Sequence, residues 1–307
     1  MFKTIIVPLD GSLFAEQAIG TAATIAQHAH AELVLLRVHE TYVFEATDYS
    51  VTDDLSRREQ ELYLAEMAER VENLFGLVPE RVLLDGIVET AICTFATGME
   101  SPLIVISTHG RTGFSRLWLG SIADAIVRHA STPVLMLRHR GDGDGEVTRT
   151  HHFRHLIVPL DGARFAEVAL APAAALAAAF KAKLTLLRVV APANAPVPLY
   201  AAPYVAPPID DDDETLNIRL EGAEEYARAL AMNLRFDYPD LEVDTAVRVE
   251  DSPAPAILNA ACAHGVDTIA LATHGRGLSR LVVASVTDKV LRGGPEAVLV
   301  FRPDVDA

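Results

Sequence analysis

The chain is poor in cysteine, aromatic residues and basic residues. Its 307 residues include two cysteines, Cys93 and Cys262, and no Cys-x-x-Cys pair. Because both lie in apolar, helix-like runs, we interpret them as buried, reduced thiols of a cytoplasmic protein rather than a disulfide framework. Lys and Arg number 26 against 42 Asp and Glu, and both halves of the chain are acidic. Nucleic-acid-binding proteins carry a basic patch or stripe, so that class is not expected.

Long apolar runs are also missing. No uninterrupted apolar stretch reaches 18 residues, so we expect no membrane span. The N-terminal sequence MFKTIIVPLDGS has an apolar run that is too short for a signal peptide and ends in an Asp-Gly turn. The alanine-rich run at 166–180 contains Pro172 and is predicted to form one buried helix. We therefore expect a globular protein that does not span a membrane.

An internal repeat is the most informative feature of the sequence. Three blocks recur in the same order: IIVPLDG at 5–11 and LIVPLDG at 156–162, LVLLRV at 33–38 and LTLLRV at 184–189, and THGR at 108–111 and 273–276. Chance does not produce three matched blocks in one order, so the chain is predicted to contain two copies of one domain.

One irregular segment separates the two copies, and another lengthens the second copy. A stretch rich in Gly and Asp predicts a flexible linker at 140–153, between domains at 1–139 and 154–307. Its histidines, such as His151, match no standard metal-site spacing and are interpreted as linker residues. A proline-rich, acidic insertion at 191–214 lengthens the second copy, and proline excludes a regular helix or central strand there. We expect an extended loop.

Each copy alternates short apolar runs with amphipathic segments. In the first copy, strands are predicted at 4–9, 32–38, 81–84, 103–107 and 133–137, and helices at 12–28, 55–75, 89–97 and 120–129. Continuous apolar strands that alternate with helices predict an α/β fold, with a five-stranded parallel sheet covered on both faces in each copy. Such doubly wound sheets bind ligands outside the carboxyl ends of their strands, at a topological switch point.

Polar and glycine-rich sequences follow two of the predicted strands. Asp10 follows the first strand, and STHGRTGFSRLWLGSI at 107–122 continues from the fourth. Gly110 and Gly113 permit close backbone approach, and a helix that begins at Gly120-Ser121 offers unpaired N–H groups to a phosphate. Neither a Walker A loop nor a Gly-x-Gly-x-x-Gly motif is present. By themselves these glycines are explained equally well by a simple turn.

The blocks resemble the universal stress proteins, and the resemblance extends over both copies. It is carried by IIVPLDGS, by LLRV, and by the segment that ends in GSIADAIVRHASTPVLML. ATP-binding members of that family carry Gly-x2-Gly-x9-Gly-Ser/Thr. Gly110 and Gly120-Ser121 match this pattern, and Ser107 stands at its first glycine. The resemblance implies a Rossmann-like, adenine nucleotide α-hydrolase-like fold in each copy. It also implies ATP, or ADP or AMP, as the ligand, with Mg²⁺ or Mn²⁺.

The resemblance further implies which residues surround the nucleotide. Pro8, Asp10 and Val38 would border the adenosine, with the Val38 backbone at the adenine edge and Asp10 also placing the divalent cation. The ribose and phosphates would be held by Ser107, Thr108, His109, Gly110, Arg111, Gly113, Gly120, Ser121 and Ile122. A weaker second set would comprise Pro159, Asp161, Val189, Thr273, His274, Gly275, Arg276, Gly277, Ser285 and Val286.

The second copy departs from the glycine pattern. Only eight residues separate Gly275 from Ala284-Ser285, and Ala284 replaces the last glycine. A shorter loop that carries a Cβ at its phosphate end predicts an impaired or empty site, although a smaller ligand is an alternative.

Three hypotheses of function stay open. In the first, the chain is an ATP-binding protein with a regulatory or stress-protective role. In the second, it slowly hydrolyses ATP or another adenosine nucleotide through His109 or Asp10, although no P-loop lysine or general base for fast phosphoryl transfer is evident. In the third, it is an interaction module without nucleotide. Asp10 also has a structural explanation as a cap of its turn, and Arg111 has one as a solvated charge.

The last strand of each copy predicts how the copies assemble. The strands at 133–137 and 297–301 would be exposed apolar edges if they were left unpaired. In the family that the chain resembles, these strands pair two domains. We therefore expect the two copies to pack as an intramolecular pseudo-dimer, and a further homodimer stays open.

Overall fold

A computed structural model of the chain describes residues 1–40, 50–109, 120–139, 147–192, 213–273, 286–294 and 297–302. The first copy contains β1 (Thr4–Pro8), α1 (Leu13–Ala29), β2 (Glu32–His39), α2 (Ser50–Phe75), β3 (Glu80–Asp85), α3 (Val88–Thr97), β4 (Pro102–His109), α4 (Ser121–His129) and β5 (Val134–His139). The second contains β6 (His155–Leu160), α5 (Arg164–Glu167), α6 (Leu170–Phe180), β7 (Lys183–Val190), α7 (Asp213–Asp237), β8 (Val243–Val249), α8 (Pro253–Ala263), β9 (Thr268–Ala272), α9 (Val286–Gly293) and β10 (Ala297–Phe301). Every element predicted for the first copy is present.

The ten strands form one sheet in the order β3-β2-β1-β4-β5-β10-β9-β6-β7-β8. Neighbouring strands within each copy are parallel, as predicted. Where the copies meet, β5 and β10 are antiparallel, with Val134 opposite Val300 and Leu137 opposite Ala297. The two predicted edge strands therefore pair with each other inside one chain.

The alternation of side chains along each strand supplies two hydrophobic cores. In β1, Ile5 and Val7 pack in a cluster with Ile19 of α1, whereas Ile6 packs in a second cluster with Ile126 of α4. These residues are almost completely buried. Because both faces of the sheet are covered, the strands are continuous apolar runs in the sequence.

One predicted helix of the second copy is broken. The run at 166–180 was expected to be continuous, but α5 ends at Glu167 and α6 begins at Leu170. Pro172 has no N–H to donate to the carbonyl of Val168, and its ring crowds that carbonyl, so a single helix cannot pass this point. The first copy has Thr21 at the corresponding position, and α1 is continuous.

The segment between the copies is packed rather than flexible where the structure describes it. Val147 and Phe153 are buried members of the core that includes α1. The His151 amide donates to Oγ1 of Thr21 at 2.9 Å, which ties the segment to α1. Within the predicted linker, the described residues 147–153 therefore contribute two apolar side chains, those of Val147 and Phe153, to the core.

The cysteines only partly match the sequence-based expectation. Both are free, but Cys93 is half-buried and Cys262 is exposed on α8. The alanines beside Cys262 make a run without clear periodicity, which hides the buried face of the helix. Burial raises the pKa of the Cys93 thiol above its usual value, and Glu89 adds to the rise.

No helix in the described part of the chain is both long and apolar enough to span a membrane.

The packing of the connecting segment predicts opposite effects of the same substitution in two helices. A Cβ added to Gly20 in α1 would lie 2.4 Å from the carbonyl oxygen of Val147, whereas a Cβ on Gly222 in α7 would have no described atom within 4 Å. We therefore expect Gly222→Ala to raise the free energy of unfolding by about 0.5–1 kcal/mol, through helix propensity. Gly20→Ala should lower it by about 1–3 kcal/mol. Urea denaturation measures both, and stabilisation by both variants would contradict the packed connection.

Candidate functional site

The strand order places a switch point in each copy. From β1 the chain moves to β2 on one side, and it returns to β4 on the other side of β1. The carboxyl ends of β1 and β4 therefore border one crevice, which brings Asp10 and His109 to the same edge of the sheet. In the second copy, β6 lies between β7 and β9 in the same way.

The turn after β1 holds Asp10 at the opening of this crevice. Oδ1 of Asp10 accepts hydrogen bonds from the amide of Ser12 at 2.9 Å and from its hydroxyl at 2.6 Å. The Ser12 hydroxyl accepts from the Ala15 amide at 3.1 Å, so Ser12 is the N-cap of α1, as predicted. Gly11 has a φ of 85°, which a residue with a side chain rarely adopts. Asp10 is thus exposed and held in one orientation.

A polar network that the sequence did not predict lies beneath the turn. The guanidinium of Arg37 packs against Gly11, with Nη1 2.8 Å from the position of an added Cβ. Its Cζ lies 5.0 Å from the centre of the Tyr63 ring. The Tyr63 hydroxyl donates to Glu16 at 3.1 Å, and Arg70 pairs with the same carboxylate at 3.3 Å. Glu16 is only 3% exposed, so this network compensates a buried charge.

The second copy repeats this network. Asp161 accepts a hydrogen bond from the Ala163 amide at 2.8 Å, and the Tyr226 hydroxyl donates to Glu167 at 2.8 Å. Arg188 corresponds to Arg37 and donates to the carbonyl of Val189 at 2.8 Å. The equal spacing of these acids and arginines in the two halves was a signal that could have identified the network from sequence.

Strand geometry directs the Val38 backbone towards the crevice. The Leu36 carbonyl accepts from the Leu9 amide at 2.8 Å, so residue 36 faces β1. Successive residues alternate in direction, and the N–H and C=O of Val38 therefore point the same way, beyond the last residue of β1. One backbone donor and one backbone acceptor of β2 are therefore directed towards the end of β1. The equivalent Val189 carbonyl is occupied by the Arg188 guanidinium.

The end of β4 is tied into the sheet. Thr108 is buried, and its hydroxyl donates to the Leu137 carbonyl at 3.3 Å, so the side chain bonds to β5. The Ser107 hydroxyl oxygen is buried and has no hydrogen-bond partner within the described ranges. His109 is the last residue of the strand and pairs with His139.

The helix after this strand begins at the crevice. Gly120 is the N-cap of α4, and its carbonyl accepts from the Asp124 amide at 2.9 Å. Ser121 and Ile122 are exposed, and a Cβ on Gly120 would meet no atom of the described residues within 4 Å. The first amides of the helix have no partners within the helix itself and carry partial positive charge. This end of α4 therefore carries backbone N–H groups of the kind that bind anions.

Several predicted ligand residues lie outside the described residues: Gly110, Arg111 and Gly113 of the first copy, and His274, Gly275, Arg276, Gly277 and Ser285 of the second. In the second copy, Asp161 and Pro159 lie at the end of β6, and Val286 begins α9. The Thr273 amide donates to the Phe301 carbonyl at 2.9 Å, so this residue continues the β9–β10 pairing.

A divalent cation would need ligands besides Asp10. Within the part of the chain that the structure describes, no group of three or more His, Cys, Asp or Glu side chains has the arrangement of a metal site. A cation at Asp10 would therefore take its other ligands from the nucleotide phosphates and water, which is common for Mg²⁺.

The network beneath the crevice predicts a loss of stability at alkaline pH. Burial, with Glu16 nearby, raises the pKa of Tyr63 well above its usual value, and burial with Glu167 does the same for Tyr226. The unfolded phenols ionise from about pH 10 while the folded ones stay protonated, so the free energy of unfolding falls as pH rises above that value. Tyr63→Phe should reduce this fall by up to about 1 kcal/mol per pH unit. Urea denaturation at several alkaline pH values tests this, and equal slopes for variant and wild type would contradict it.

Comparison with known proteins supports the conclusion that the chain contains two copies of one domain. Residues 1–138 and 152–302 match the profile of the Universal stress protein family. A universal stress protein of Methanocaldococcus jannaschii is 28% identical over 142 residues, which cover 45% of this chain and 83% of that protein. One from Thermus aquaticus is 34% identical over 143 residues, 45% of this chain and 100% of that protein.

The fold of the whole chain also has a match among solved structures. A universal stress protein from Archaeoglobus fulgidus superposes with a TM-score of 0.69 at 18% identity, covering 97% of this chain and 98% of that chain. The chain therefore belongs to the universal stress protein family and carries two of its domains in tandem.

Proposed function

We propose that the first copy binds ATP at the carboxyl ends of β1 and β4, and that nucleotide occupancy serves a regulatory or stress-protective role. The observation that carries the proposal is the open amino end of α4 at the switch point. Among the described residues, no atom lies within 4 Å of the Cβ side of Gly120, and Ser121 and Ile122 beside it are exposed. Unpaired helix amides at such a position favour phosphate.

The opposite side of the crevice suits an adenosine. Val38 directs one backbone donor and one acceptor beyond the end of β1, which is what hydrogen bonding to a base edge requires. Pro8 is half-buried beside it. Asp10 is exposed and oriented by Ser12, and we assign to it the placement of a Mg²⁺ or Mn²⁺ ion that accompanies the triphosphate.

We assign tight binding to the first copy alone. In the second copy the acceptor that corresponds to the Val38 carbonyl is already engaged by Arg188. The second copy also has Ala284 where the first has Gly120, and its connecting loop is one residue shorter. Each difference removes a contact that the first copy offers to the ligand.

Gly120→Ala tests the phosphate cradle without disturbing the free protein. Gly120 has φ −53° and ψ 149°, which alanine adopts readily, and the added methyl group meets no atom of the residues that the structure describes. A phosphate bound against this backbone would meet the methyl group directly. We expect ATP affinity, measured by isothermal titration calorimetry with Mg²⁺, to fall about tenfold or more, with the free energy of unfolding nearly unchanged.

Gly222→Ala is the matched control, because it makes the same change at an exposed position of α7. It should bind ATP like the wild type. Unchanged ATP affinity in Gly120→Ala would show that the phosphates do not bind at the amino end of α4. A wild-type protein that binds no ATP would contradict the proposed function itself.

A further inference from the structure

Two arginines reach from one copy to the last helix of the other. Arg302, the residue after β10, donates to the carbonyl of Arg128 in the final turn of α4. In the reverse direction, Arg138 of β5 donates to the carbonyl of Gly294 at 2.8 Å and to that of Leu291, at the end of α9. The two contacts correspond to each other across the junction of the copies.

The antiparallel pairing of β5 and β10 creates both contacts. Val300, near the end of β10, lies opposite Val134 at the start of β5, where the chain has just left α4. Ala297, at the start of β10, lies opposite Leu137 near the end of β5. Each strand therefore ends beside the carboxyl terminus of the helix that precedes its partner strand.

The carboxyl end of a helix is a favourable position for a guanidinium group. The last carbonyls have no partners within the helix and carry partial negative charge. The other basic groups in the last turn of α4 are Arg128 and His129, and Arg128 is already paired with Asp124 four residues earlier. Arg302 adds a cation from the second copy, and it is half-buried there, where solvent screens its charge less.

We propose that Arg302 is a positioning residue for the nucleotide site of the first copy. This inference rests on the proposed function. Helix α4 has nine residues, so its two ends are about 13 Å apart and move as one body. Arg302 holds the carboxyl end, and the amino end at Ser121 forms the phosphate cradle. The second copy, whose own site departs from the pattern, thus completes the site of the first.

A merely structural role of Arg302 makes a different prediction from a positioning role. Misplacement of α4 weakens contacts to the phosphates but leaves those of the adenosine at Val38 and Pro8 in place. Loss of Arg302 should therefore reduce the affinity for ATP and spare the affinity for adenosine. General destabilisation of the domain would reduce both affinities together.

Calorimetric titration of the full chain with ATP and with adenosine tests the proposal. We expect Arg302→Gln to weaken ATP binding about fivefold and to leave adenosine binding within about twofold of wild type. Arg302→Lys keeps the charge but loses the forked donor, so its ATP affinity should lie between those of the wild type and Arg302→Gln. Arg228→Gln is the control, because it removes the same charge from an exposed pair with Glu224 on α7 and should bind both ligands like the wild type.

Three results would overturn the proposal while leaving the proposed function intact. They are unchanged ATP affinity in a folded Arg302→Gln protein, equal losses for ATP and adenosine, and an equal loss of ATP affinity in Arg228→Gln. If Arg302→Gln does not fold, the ratio of ATP to adenosine affinity in Arg302→Lys decides the question, and an unchanged ratio overturns the proposal. Absence of ATP binding in the wild type would instead overturn the proposed function.

Discussion

The pairing of β5 with β10 is the interaction on which the rest of the molecule depends. Each of these strands is apolar and would otherwise be an open edge that invites association with other chains. Their pairing turns two five-stranded sheets into one sheet of ten strands. It also places the carboxyl end of each copy's last helix against the other copy, where Arg138 and Arg302 reach it. Burial of Val147 and Phe153 in the core that includes α1 reinforces the same arrangement.

The two copies have equivalent turns after their central strands, but they present different groups to a ligand. Both hold an acidic residue at the end of the central strand above a tyrosine bonded to a glutamate. This common network stabilises the turn and does not by itself specify a ligand. The differences lie in the surrounding acceptors and in the glycine pattern. The Val189 carbonyl is occupied by Arg188, and Ala284 stands in place of a glycine. These differences support our proposal that the nucleotide binds to the first copy.

The sequence predicted most of the fold because its signals were local. Continuous apolar strands, amphipathic helices and the Ser12 cap identified every element of the first copy. Pro172 was visible, but the prediction of one helix gave more weight to the alanine run than to the missing N–H group. Val147 and Phe153 were hidden behind the Gly-Asp run that precedes them, and burial of a short apolar segment depends on what covers it.

The candidate site was predicted less completely, for a physical reason. Strand order brings Asp10, after β1, to the same edge of the sheet as the end of β4, as expected for a doubly wound sheet. The Arg37–Tyr63–Glu16 network and the contact of Arg302 with α4 join residues that are far apart in the chain. The equal spacing of the acids and arginines in the two copies marks the residues of the first network, but it does not identify their partners, which side chains acquire only when the elements are packed.

The central claim is that the first copy holds one ATP per chain. Native mass spectrometry of the intact protein titrated with ATP and Mg²⁺ tests it most directly, because each bound nucleotide adds a discrete mass. We expect one ATP to saturate each chain well before any second addition. Two additions of equal affinity would contradict the assigned difference between the copies, and no addition at saturating ATP would contradict nucleotide binding itself.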